Sequence, residues 1–262
     1  FLRSWLCVGR EEETPQPGDF FASRIMGEPF LVVRNEAGAI NAFANSCRHR
    51  GVEVASGRGN AKRFSCPYHA WTYDLNGQLL GAPLMRESRT DLSKCALPSL
   101  AVEVWQGWVF INFDPDAKPL HDTIADFVKE FGFLRGDQCR LANVFSTELD
   151  CNWKYVVENL MDVYHVGTVH AQSFGKHYRD SAEDHSFKLF DKGGYSFHFK
   201  AAPLTSGGES LFGPMPALSE HPCDFACLGF IAPNMNFVAR WDSMRFWITW
   251  PLTPEKSQLL GY

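Results

Sequence analysis

The stretch CRHRGVEVASGRGNAKRFSCPYHAW, residues 47–71, constrains this chain more than any other part of it. It holds one Cys-x-His pair, Cys47 and His49, and one Cys-x-x-His pair, Cys66 and His69, with sixteen residues between them. Two thiolates and two imidazoles in one short stretch are a metal-ligand set, and Cys2His2 zinc is the simplest version of it. The order argues against zinc. Zinc fingers group Cys with Cys and His with His, each pair about two to five residues apart. Here each pair is mixed, and the first has a single intervening residue.

Composition narrows what surrounds such a site. The chain has 262 residues, 45% hydrophobic and 14% aromatic, enough apolar material for one large or two medium globular domains. Lys and Arg number 25 against 30 Asp and Glu, a net charge of -5 without a basic block, so no nucleic-acid footprint is present. No apolar run approaches the roughly 18 residues that a membrane span needs, and FLRSWLCVGR lacks the apolar core of a signal peptide. A soluble, cytoplasmic protein is the expectation. Eight Cys are too sparse for a disulfide scaffold, and clustered Cys and His in a reducing compartment more often hold metal. The chain starts at Phe1 and stops inside the apolar stretch SQLLGY, which leaves room for further chain at both ends.

Up to about residue 116 the pattern is that of short strands. FFASRIM, FLVVR and AINAF, with the turn NEAG, have the spacing of a small antiparallel unit. WTYDLNGQLLG is a hairpin with Asn76-Gly77 at its tip, and VEVWQGWVFINF is another around Gly107. After DPDAKP the pattern changes. His121 to Leu134 places Ile124, Phe127, Val128, Phe131 and Leu134 at helical spacing, with Asp122 as its N-cap. LANVFSTELD predicts a strand and Asn152 the start of a helix; HSFKLF and YSFHFKAA predict strands, and 202–222 a long loop. The fold class expected is α+β: an all-β domain over 1–116, then an α+β domain over 117–262 with an antiparallel sheet flanked by helices.

Mixed Cys/His pairs make sense when one iron of a binuclear cluster takes both thiolates and the other both imidazoles, the Rieske form of the 2Fe-2S centre. CRHRG (47–51) and CPYHAW (66–71) resemble the two cluster-binding loops of Rieske oxygenases. The resemblance implies Cys47 and Cys66 on the inner iron and His49 and His69 on the outer one. Ala70 stands where the family frequently has Gly, a departure expected to matter little. Respiratory Rieske proteins add a disulfide-forming Cys to each loop and a Ser near the second His. This chain has Val52, Tyr68 and Trp71 there, so fewer hydrogen bonds to the cluster and a potential low in the range of roughly −150 to +300 mV are expected.

A second site lies in NWKYVVENLMDVYHVGTVH, where Glu158, Asp162 and His165 fall on one face of a continuous helix. On that helix His170 would lie about 140° from His165, too far round to share an ion, so Gly167 is expected to end or distort it. Two His and one carboxylate on one face of an iron leave its other positions open to dioxygen and substrate. ENLMDVYHVGTVH resembles the iron-binding helix of Rieske oxygenases, closest to the ring-hydroxylating dioxygenases, whose helix also begins after Asn-Trp-Lys. The resemblance implies His165 and His170 as ligands of a mononuclear Fe(II). It also makes Asp162 a bridge between one subunit's catalytic His and a neighbour's Rieske His. Asp180, Asp184, Asp191, Asp224 and Asp242 follow the pair and are more simply loop residues, so the carboxylate ligand is expected beyond residue 262. Cys223 and Cys227 read as buried thiols.

Together these features imply a terminal oxygenase that takes electrons from a reductase or ferredoxin, activates O2 and hydroxylates a small organic, chiefly aromatic, substrate. A homotrimer or larger ring is implied as its assembly. An oxidative N- or O-demethylase would use the same apparatus. A non-catalytic Rieske electron carrier would lack the second iron.

Overall fold

Short β-rich runs punctuated by Gly turns build the first half of the molecule almost without helix. In order they are β1 (Leu6–Arg10), β2 (Asp19–Ile25), β3 (Glu28–Arg34), β4 (Ile40–Ala44), β5 (Arg58–Asn60), β6 (Phe64–Ser65), β7 (Thr72–Tyr73), β8 (Leu79–Gly81), β9 (Ala101–Trp105) and β10 (Trp108–Asn112). They pair as three antiparallel sheets, β1-β10-β9, β4-β3-β2-β5 and β6-β7-β8. The expected hairpins form at Asn76-Gly77 and at Gln106-Gly107, where Gly77, Gln106 and Gly107 all take positive φ. The structure, a computed structural model, describes residues 1–85, 89–179 and 185–262, in two compact units, Phe1–Ala117 and Lys118–Tyr262.

The second unit opens with helix where the spacing predicted it, but in pieces. α1 (Leu120–Thr123) and α2 (Ala125–Phe131) are separated at Ile124, and Gly132–Leu134 tightens into a 3-10 turn. Asp122 lies inside α1 and caps nothing; Pro119 holds the N-cap position, since its fixed φ favours a helix start. Then come β11 (Phe145–Leu149), α3 (Trp153–Met161), α4 (Val166–Val169) and the strands β12 (Tyr178–Arg179), β13 (Ser186–Leu189), β14 (Gly194–Ala201), β15 (Phe225–Ile231), β16 (Met235–Arg240), β17 (Ser243–Thr253) and β18 (Lys256–Gly261). The antiparallel sheet runs β11-β18-β17-β16-β15-β14-β12, with β13 also on β14.

In both units the first strand pairs with the last: β1 with β10, and β11 with β18. Tyr195, Phe197 and Phe199 alternate on one face of β14, and they bury against Ala226 and Leu228 with Met161 and Val163 packed over them. Cys227 is buried in β15, whereas Cys223 is exposed in the preceding loop, so only one of the two is a core thiol. No helix among the described residues is long and apolar enough to cross a membrane.

Candidate metal centres

The two loops of the first unit close in the same way. In 47–52 the Cys47 N–H donates to the Val52 carbonyl (2.9 Å) and the Gly51 N–H donates to the Cys47 carbonyl (2.8 Å). In 66–71 Cys66 donates to Trp71 (2.8 Å) and Ala70 to Cys66 (2.9 Å). The fifth residue of each loop has positive φ: Gly51 at 73° and Ala70 at 57°. Ala70 therefore holds a backbone conformation suited to Gly, and the departure expected to matter little carries a conformational cost.

This closure places like with like. Cys47 and Cys66 are free thiols buried in one apolar core with Trp71, Tyr73 and Leu75. His49 is half-buried and His69 exposed, their rings 4.5 Å apart. His49 stacks on Trp71 at 5.0 Å, and its Nδ1 is buried without a hydrogen-bond partner. Desolvation, helped by the charges of His69 and Arg50, holds His49 below the ordinary imidazole range and favours the neutral, metal-binding form. Among the described residues no three His, Cys, Asp or Glu side chains converge as ligands of one ion. A zinc ion would need all four; a binuclear cluster separates the sulfur pair from the nitrogen pair. Tyr73, which the motif reading passed over, sits beside Cys47 with Oη 3.2 Å from Sγ and accepts from the Arg48 N–H at 3.0 Å. Burial and then the Cys47 contact push its hydroxyl pKa up, which keeps it a protonated donor.

In the second unit the helix that begins at Asn152, whose side chain accepts from the Lys154 N–H, stops at Met161. Asp162 turns to extended backbone (ψ 102°), so Glu158, Asp162 and His165 do not share one helical face. The break falls at Asp162 rather than at Gly167, which lies inside α4. The Asp162 Oδ1 accepts from the Tyr164 N–H (2.8 Å) and fixes the turn, while Oδ2 lies 3.3 Å from His165 Nδ1. His165 and His170 flank the single turn α4, which brings their rings to 5.3 Å. With Nδ1 of His165 engaged by Asp162, Nε2 is the ring nitrogen left available to a metal. Asp180 and Asp184 lie outside the described residues; among the described ones no carboxylate completes a three-ligand set.

The pair lines a cavity of about 280 Å³ roofed by Asn159, Val163 and Phe174 and floored by Phe199, Leu228, Val238 and Trp247 of the sheet. Residues 4–102 match the Rieske [2Fe-2S] domain and residues 137–260 the ring hydroxylating alpha subunit catalytic domain. The chain belongs to the Rieske oxygenases. Among its relatives is the carnitine monooxygenase oxygenase subunit of Acinetobacter baumannii, 37% identical over 174 residues, which cover 65% of this chain and 47% of that one. The benzene 1,2-dioxygenase alpha subunit of Pseudomonas putida is 37% identical over 177 residues, 64% of this chain and 39% of that one. A quaternary ammonium Rieske monooxygenase, described for carnitine oxidation and inter-subunit electron transfer, superposes with a TM-score of 0.84 at 27% identity, covering 100% of this chain and 69% of that one. This chain spans about half the length of the curated Rieske oxygenase subunits that it matches first. A Rieske [2Fe-2S] domain and a ring-hydroxylating catalytic domain imply a Rieske cluster and a mononuclear non-haem iron, and the donor sets in the two units fit them.

Proposed function

We propose that this chain is part of the terminal oxygenase component of a multicomponent system, with 1–116 relaying electrons and 117–262 carrying the oxygenation site. The observation that carries the reading is the His165–His170 pair on the wall of an apolar cavity, since an oxygen-activating iron needs open positions that face an organic substrate. When bound, the cluster supplies electrons singly and the mononuclear iron supplies dioxygen activation. Cys47 and Cys66 hold the inner iron of the cluster and His49 and His69 the outer one. His165 and His170 hold the mononuclear iron, with its carboxylate ligand in chain beyond residue 262. Asp162 accepts from His165 Nδ1–H and orients that imidazole. Its half-exposed carboxylate is free to take a second partner, the Rieske His of a neighbouring subunit in a trimer or larger ring. The electron donor is a reductase or ferredoxin. A cytoplasmic location is supported by the free thiols of Cys95, Cys151 and Cys227, which lie outside the cluster set.

The overall reaction consumes one O2, two electrons and two protons. A monooxygenase places one oxygen atom in the substrate and releases the other as water; a dioxygenase places both in the substrate. Hydroxylation of an aromatic substrate is supported by the benzene dioxygenase relative, and monooxygenation, the class of reaction that an oxidative N- or O-demethylase would use, by the carnitine monooxygenase relatives. Labelled dioxygen distinguishes the two by the number of heavy atoms in the product.

The direct test is iron content together with oxygen uptake. The intact enzyme should hold about three irons per chain, two in the cluster and one mononuclear. His165→Ala and His170→Ala should each bring this to about two, keep the cluster's electron paramagnetic resonance signal and abolish substrate-dependent oxygen uptake. Two irons in the wild type would make the protein an electron carrier instead.

A further inference from the structure

The register of β14 to β17 sorts the cavity floor into rows. Phe199, Ala226, Arg240 and Ser243 lie side by side at the β16–β17 hairpin; Phe197, Leu228, Val238 and Arg245 form the next row inward. One face of an aromatic sheet therefore carries two guanidinium groups, both on the cavity lining. Arg240 is 7% exposed. Its Nη1 donates to the Ala202 carbonyl at 2.9 Å, and its buried Nε has no partner. No carboxylate among the described residues lies within ion-pair distance of Arg240 or Arg245. Asp242, the acid nearest in sequence, accepts instead from the Ser243 hydroxyl at 3.2 Å.

An unpaired buried cation is costly, and Arg does not escape the cost by losing its proton. Desolvation, followed by repulsion from Arg245, already holds Arg240 down at about 10, and the attraction of Asp242 does not offset this. With two positive charges against one negative, the hairpin end of the cavity lacks an anion. A carboxylate is the group that matches a guanidinium's planar fork.

We propose that Arg240, assisted by Arg245, is the anchor for a substrate carboxylate, so that the enzyme selects small organic acids whose apolar body lies along Leu228 and Val238. The inference rests on the oxygenase reading for the identity of the cavity, and it adds the class of substrate. Arg240 acts by binding and takes no part in the oxygen chemistry.

Binding is measured by titration calorimetry on the full-length iron-loaded enzyme with two matched pairs of probes, benzoate with benzamide and butyrate with butyramide. The members of a pair share size and shape and differ in charge. Wild type should prefer the acid in at least one pair by tenfold or more. Arg240→Gln should bring that preference to near unity while leaving the amide's affinity within about twofold, and Arg240→Lys should keep part of it. Arg245→Gln, at an exposed position, should reduce the preference several-fold and serves if Arg240→Gln does not fold. Absence of any preference in wild type overturns the proposal. So does a preference that survives in Arg240→Gln and disappears in iron-free His165→Ala, because the carboxylate would then be held at the iron. A preference that depends on Arg240 in a protein that consumes no oxygen would uphold the anchor and remove the oxygenase reading.

Discussion

At the scale of single residues, Ala70 carries the clearest local cost. Left-handed backbone costs a residue with a Cβ about 1–2 kcal/mol, and the greater freedom of an unfolded Gly gives back roughly 0.4–1 kcal/mol. Ala70→Gly should therefore stabilise the first unit by roughly 0.5–1 kcal/mol, read as a shifted denaturation midpoint with the cluster spectrum unchanged. A destabilised variant would show that the 66–71 loop tolerates its alanine for another reason. The sequence made the loop legible and this cost invisible, because a motif lists residue types while φ belongs to the folded turn. The same limit hid Tyr73 and Arg240. Neither stands at a diagnostic spacing; one is brought to Cys47 by strand pairing, and the other enters the cavity floor through sheet register. Cys47, His49, Cys66, His69, His165 and His170 stand out in the sequence as candidate ligands because chemically demanding residues recur there within a few positions.

At the scale of elements, hydrophobic periodicity located α3 and the strands, but not where the helix breaks. The uninterrupted helix drawn through Asp162 and His165 fails because the Asp162 side chain satisfies the Tyr164 N–H in place of a helical carbonyl. A pattern of apolar positions has no way to register that exchange. The turn after His170 is just as exacting. A Cβ on Gly175 would lie 2.5 Å from the carbonyl oxygen of His170, the C-cap of α4, and 2.6 Å from that of Val166, its first residue, both backbone atoms. Gly175→Ala must displace this turn and His170 with it. The variant should lose most of the mononuclear iron by metal analysis while retaining the cluster signal, which arises from the other unit. Full retention of both would mean that α4 shifts as a body without separating its two imidazoles.

At the scale of the whole molecule, the two metal sites occupy separate units, and whether electrons pass between chains can be asked by mixing. Chains with Cys66→Ala keep the mononuclear site but lack the cluster; chains with His165→Ala have the reverse. Co-expressed in a random cyclic assembly, about one quarter of donor–acceptor neighbour contacts would pair an intact cluster with an intact mononuclear site, and turnover should recover to that fraction. No recovery in a verified mixed oligomer would confine the transfer to one chain. The pairing of first strand with last has a further meaning, in time. Neither β1 nor β11 can find its partner until roughly a hundred more residues have been made, a long-range closure that costs chain entropy and slows folding. Residues 47–71 and 162–170 lie inside those spans. During synthesis Cys47, His49, Cys66 and His69 therefore leave the ribosome ahead of β10, and the His165–His170 pair ahead of β18, so there is an interval in which iron can reach these side chains before those strands pair.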